Sequence, residues 1–130
     1  MESITLKEIA GYLPYDLKQC HNVENPKESN VTIVTLKNVD ALLNYKESGK
    51  SYFKPILYPL PMLTQEIEHN GEKFVPIERI AIYEDINYLL NQIKCGLVEQ
   101  IVYEMLLKWH LDVNGLITRG LAIDKTTLKK

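Results

Sequence analysis

Three prolines, Pro55, Pro59 and Pro61, fall within the stretch SYFKPILYPLPML (51–63), and they narrow the choice of structure more than anything else in the chain. Proline lacks a backbone donor and its ring clashes with the preceding turn, so a regular helix is ruled out up to about residue 60. The missing donors also argue against a central paired strand. The segment therefore reads as extended and edge-like. Pro61 suits the first position of a short helix, with Leu63 and Ile67 pointing inward. Asn70-Gly71 then reads as the left-handed cap of that helix, in preference to a tight hairpin turn. Phe74-Val75 follows as a short strand stopped by Pro76.

Upstream, Thr5 and Glu8 have capping-box spacing, and Ile4 and Ile9 occupy the two staple positions. Leu6, Ile9, Ala10 and Leu13 form one apolar face, and Pro14 ends the helix at Leu13. Leu17–Cys20 is a candidate short strand. After the polar turn ENPKESN (24–30), the β-branched run VTIVTL (31–36) reads as a strand, and its uncharged faces place it centrally. Residues 39–45 are equally compatible with a turn of helix or a strand.

The C-terminal half carries a helical period. Ile82, Ile86, Leu89, Leu90 and Ile93 share one face, closed by Gly96. Val98, Ile101, Val102, Met105, Leu106 and Trp109 share another, with Asn114-Gly115 as its stop signal. The short link at 95–97 favours a helical hairpin. The expectation is a single α+β domain over 1–130. A small, mostly antiparallel sheet from the N-terminal half packs on a C-terminal helical hairpin. Residues 1–80 are the mixed part, 81–115 the hairpin and 116–130 a basic tail.

Charge is nearly balanced, with 15 basic and 17 acidic residues, which argues against a dedicated duplex-binding protein. The tail is locally basic through Arg119, Lys125, Lys129 and Lys130. Together with Lys54 these residues define a nucleic-acid alternative. The first ten residues lack the pattern of a signal peptide, and no apolar run is long enough to span a bilayer. With two separated cysteines, Cys20 and Cys95, the expected setting is a reducing cytoplasm, although one bridge is compatible with the sequence.

Several chemical motifs are only partly present. Gly49-Lys50-Ser51 ends like a phosphate-binding loop, but Asn44 stands in the first glycine position and Pro55 would break the helix that must follow. Cys20 and His21 are adjacent, so on a strand they face opposite sides. Cys20, Cys95, His21, His69 and His110 lack the paired spacing of a zinc site. No metal, cofactor or catalytic residue is expected. In WHLD (109–112), His110 and Asp112 flank a helix end beside Trp109. The helix dipole is a sufficient structural reason for the histidine there, and a partner- or ligand-binding patch is the functional alternative. Tyr52, Phe53 and Tyr58 suit a protein contact, because tyrosine combines an apolar body with a wet hydroxyl.

Three longer phrases, LKEIAGYLPYDLK, KPILYPLPMLTQEIEHNGEKFVPIE and LLKWHLDVNGLITRGLAIDKTTL, together resemble a family of small hypothetical proteins of phages and prophages of Bacteroidetes-type bacteria. There the middle often reads K-P-I-L-R-P-L-S-D-L and the end W-H-F-D-V-x-G-L-I. This chain departs at Tyr58, Pro61 and Met62, and at Leu111. The resemblance implies a phage-encoded accessory protein of the bacterial cytoplasm and brings no activity with it. Tyr58 replaces the family's arginine, which weakens any anion-binding role at that position. The leading expectation is a non-enzymatic module that binds a host or phage protein, with homodimerisation as one form. The alternatives are a nucleic-acid accessory protein and a small enzyme or ligand-binding domain built on the His110–Asp112 corner. A concave pocket at that corner would favour the last.

Overall fold

The computed structural model describes residues 4–21, 27–47, 50–80, 86–97 and 99–128. The first element, α1 (Leu6–Ile9), starts where the capping box places it. The Glu8 carboxylate accepts from the Thr5 backbone N–H and hydroxyl, both at 3.0 Å. The helix does not stop before Pro14. It tightens into a 3-10 turn over Ala10–Tyr15 and ends at Asp16, whose backbone is left-handed (φ 56°, ψ 47°). The reason is tertiary. Tyr12 in that turn is fully buried and donates its hydroxyl to the Leu111 carbonyl at 2.5 Å. Gly11 lets the turn approach α5 (Gln100–Lys108), since a Cβ there would lie 2.7 Å from Leu107 Cδ1.

The main sheet contains β1 (Lys18–His21), β2 (Val31–Ile33), β5 (Phe53–Leu57) and β8 (Ile123–Asp124), in the order β2-β1-β5-β8. The first two pairings are antiparallel and the last is parallel. The proline-rich segment is thus internal, not an edge. Pro55 is tolerated because it sits where one ladder hands over to the other. The pairing to β1 covers Phe53–Pro55, and that to β8 covers Ile56–Leu57. The VTIVTL run is the edge, not the centre, and its strand ends at Ile33. Its own flanks blunt it. The Ile33 carbonyl accepts from Asn38 Nδ2 at 3.0 Å, and the Val31 N–H donates to the Glu28 carbonyl. Leu36, beyond the strand, is 91% exposed.

Residues 39–44 form a helix, α2 (Val39–Asn44), and β3 (Lys46–Glu47) and β4 (Lys50–Ser51) make a small antiparallel pair. Lys50-Ser51 therefore opens no helix, and Gly49 lies outside the described residues. Pro61 opens a 3-10 turn over Leu60–Thr64 with Leu63 buried. Asn70-Gly71 is a hairpin turn, not a helix cap. It joins β6 (Ile67–His69) to β7 (Glu72–Phe74), and Ile67 points inward from a strand. Both turn residues have positive φ (53° and 79°), which a type I′ turn requires. Pro76 then starts α3 (Pro76–Arg79).

Helices α4 (Ile86–Cys95) and α5 follow the predicted periods, with Ile82 and Val98 outside the described residues. Ile101 was expected inward but is 66% exposed. Gly96 ends α4 in a Schellman motif, with Leu97 N–H on the Gln92 carbonyl and Gly96 N–H on the Ile93 carbonyl. One apolar cluster joins Leu89, Ile93, Val102 and Leu106 to Ile67 and Phe74. A second joins Leu107 to Ile9, Tyr12, Leu17, Leu42 and Leu57. Helix α5 thus belongs to both clusters and ties the helical half to the sheet. Full burial of each such leucine stabilises by about 1.5–3 kcal/mol. The fold is α+β. Among the described residues no helix is long and apolar enough to cross a membrane.

Candidate functional site

The helix α5 does not run on to Asn114-Gly115. Its stop is His110, which occupies the left-handed position that glycine usually fills (φ 60°). The His110 N–H donates to the Leu107 carbonyl at 3.0 Å, and the Leu111 N–H donates to the Leu106 carbonyl at 2.9 Å. Leu106 and Leu111, the hydrophobic pair of this motif, are both fully buried. The chain then docks on the end of β5. The Tyr58 N–H donates to the His110 carbonyl, and the Asp112 N–H donates to the Tyr58 carbonyl, each at 2.8 Å.

This docking puts His110 into a cleft of about 740 Å³. Lys18 from β1, Ile33 from β2 and Ile56 from β5 contribute from the sheet. The β6–β7 hairpin contributes from Glu66 to Gly71, and Lys125 and Thr126 contribute from the C-terminal 3-10 turn. Asp16 and Glu28 also line it. Asp16, Asn70 and His110 are the three non-glycine residues with positive φ among the described residues, and all three line this cleft.

His110 is 8% exposed. Its Nε2 lies 2.6 Å from the Tyr15 carbonyl, which can only accept, so Nε2 carries the hydrogen. Burial pushes the ring's pKa down to about 4, against the opposing pull of the Tyr15 carbonyl. The imidazole is therefore neutral near pH 7, and Nδ1 is its acceptor. His69 meets the His110 ring edge-on, with centroids 4.9 Å apart. Burial, then the charges of Lys18 and Lys108, lower its pKa as well.

The hydroxyls in the lining are already engaged. Tyr58 donates to the Glu68 carbonyl at 2.7 Å, and the Thr126 Oγ1 donates to Asp124 Oδ1 at 2.6 Å. Among the described residues the lining contains no serine or cysteine. Among the described residues no group of three or more His, Cys, Asp or Glu side chains is placed to hold a metal ion.

The WHLD residues are dispersed by the fold. Trp109 is buried against Phe74, with ring centroids 5.2 Å apart. Asp112 is 4% exposed and caps the following loop, accepting from the Leu116 N–H at 2.8 Å and the Ile117 N–H at 2.9 Å. Tyr58 is buried, and burial raises its pKa. Tyr52 and Phe53 belong to a separate ring cluster with His21 and Tyr45. Of the basic set, Arg119 pairs with Glu8, Lys125 faces the cleft, and Lys54 is half-buried on β5. Lys129 and Lys130 lie outside the described residues. Sequence reasoning missed Asp16, Lys18, Glu28, Glu66, Glu68 and Asn70 as cleft residues. Only Asn70, before a glycine, carried a local signal of its backbone.

No protein-family model, curated protein or solved structure matches this chain.

Proposed function

We propose that this chain is a non-enzymatic interaction module that holds a segment of a partner protein in the cleft. The convergence of Asp16, Asn70 and His110 there carries the reading. A left-handed backbone costs roughly 1–2 kcal/mol at a residue with a side chain, and such strain clusters at binding sites. At His110 a glycine would relieve that cost and keep the helix stop. The side chain both ties the helix stop to the Tyr15 carbonyl and lines the cleft. A concave cleft does lie at His110, as a ligand-binding site requires, but Asp112 does not line it, and the engaged hydroxyls favour binding over catalysis. The resemblance to a phage-encoded family supports a partner from the phage or its host, met in the cytoplasm.

The test compares capture of one partner by three tagged proteins, the wild type, Ile33→Trp at the cleft and Tyr52→Ala in the separate ring cluster. Loss with Ile33→Trp and retention with Tyr52→Ala supports the cleft. The opposite pattern overturns it and moves binding to the ring cluster. Binding abolished by nuclease would favour the nucleic-acid alternative instead.

A further inference from the structure

Among the described residues four acidic ones line the cleft, Asp16, Glu28, Glu66 and Glu68, against two basic ones, Lys18 and Lys125. None of the six makes an ion pair with another described residue. The described pairs lie elsewhere, at Arg79–Glu72 and Arg119–Glu8. With both histidines neutral, the lining has an acidic excess. Exposed carboxylates are individually weak in water, but a concave wall with an apolar floor focuses their field.

Charge alone would not define a ligand. His110 supplies the independent observation. More than nine-tenths of it is buried, and Nε2 is committed to Tyr15. Nδ1 has no partner among the described residues, yet it is not a sealed, unsatisfied side-chain atom, of which Gln19 Oε1 is the one among the described residues. Nδ1 is therefore reachable, and His110 lines the cleft. An unprotonated imidazole nitrogen needs a donor and repels an anion. Ile33, Ile56 and Met62, in the same lining, suit an aliphatic stem.

We infer that the segment held in the cleft presents a lysine or arginine side chain, whose stem lies on the apolar floor and whose N–H donors meet His110 Nδ1 and the acidic residues of the lining. This rests on the cleft being the binding site.

The test uses capped pentapeptides Gly-Gly-X-Gly-Gly, with X as Arg, Lys, Gln, norleucine or Glu, titrated into the isotope-labelled protein at low salt and followed by amide NMR. Agmatine, as a free guanidinium, separates a peptide ligand from a small amine. The Arg and Lys peptides should shift the amides of Lys18, Asn70 and Gly71 and bind at least about tenfold more tightly than the Gln and Glu peptides, as expected when charged hydrogen bonds are lost. The paired change Glu66→Gln with Glu68→Gln, both exposed and harmless to folding, should weaken Arg-peptide binding by about fivefold or more. His110→Asn, which keeps a residue tolerant of the left-handed backbone, should weaken it similarly. Agmatine binding more tightly than the Arg peptide would reassign the ligand from a peptide to a small amine and overturn the inference. Equal or tighter binding of the Glu peptide in the cleft would overturn the inference and leave the cleft standing. Shifts confined to the Tyr52–Phe53 cluster would overturn both. No shift with any peptide would overturn the inference, while the partner-capture comparison still decides the cleft.

Discussion

Replacing Asp112 by asparagine exchanges one carboxylate oxygen for an amide nitrogen and tests whether this residue is a structural cap or a binding group. The carboxylate accepts from two backbone donors, at 2.8 and 2.9 Å, and is 4% exposed. Asparagine retains one acceptor oxygen and turns a donor amide toward the other N–H. One charge-assisted bond is lost, worth about 1.5–3 kcal/mol, and the other falls to a neutral bond worth about 1 kcal/mol. Relief of carboxylate desolvation offsets part of this, so Asp112→Asn should destabilise by about 2–4 kcal/mol. With a urea slope of about 2 kcal/mol/M, mid-range for a small domain, the unfolding midpoint should fall by about 1–2 M with the slope unchanged. Asp112 does not line the cleft, so Arg-peptide binding to the folded variant should stay at the wild-type level. A midpoint shift below about 0.3 M combined with loss of peptide binding would refute the cap and make Asp112 a binding residue.

Two further outcomes follow from buried polar groups. Tyr12→Phe removes a hydroxyl that donates to the Leu111 carbonyl and accepts from the Val113 N–H at 3.2 Å. It should cost about 1–3 kcal/mol in urea unfolding, the size of two neutral hydrogen bonds. For His110, the folded pKa of about 4 lies below the ordinary 6.5. The unfolded chain therefore binds more protons between those values, so stability present above pH 6.5 is lost as pH falls toward 4 and levels off below it. The full effect is about 3 kcal/mol. His69 shifts in the same direction and adds to the slope. Glu8 acts lower, below its ordinary 4.5. Its pKa is raised by burial but lowered further by Arg119 and Thr5, so it loses stability only once it protonates. Urea unfolding between pH 7.5 and 4.5 should show the slope, and His110→Asn should flatten most of it.

Much of the fold was legible because it is local. The Thr5–Glu8 capping box, the periods of α4 and α5, and the Gly96 stop need only neighbours a few residues away. The errors also have local causes. Pro55 was excluded from the sheet interior because a missing N–H is costly in one continuous ladder, and sequence does not show that two ladders change hands at that residue. Uncharged faces made β2 look central, while the Asn38 side chain that blunts its edge is visible only in three dimensions. Asn70-Gly71 had two acceptable conformations, and the pairing of Ile67 with Phe74 selected the hairpin.

The cleft was not legible. Its histidine is held by a carbonyl 95 residues away in sequence, and Asp112 docks on Tyr58, which is 54 positions earlier. By itself the sequence determined the capped start of α1, the helices α4 and α5 and where charge is absent, because those follow from side-chain spacing and backbone chemistry. Tertiary structure decided strand order, the end of α5 at His110 and the gathering of six charged residues along the cleft that His110 lines. Each of these depends on which distant backbone donors and acceptors pair once the two apolar clusters close on α5.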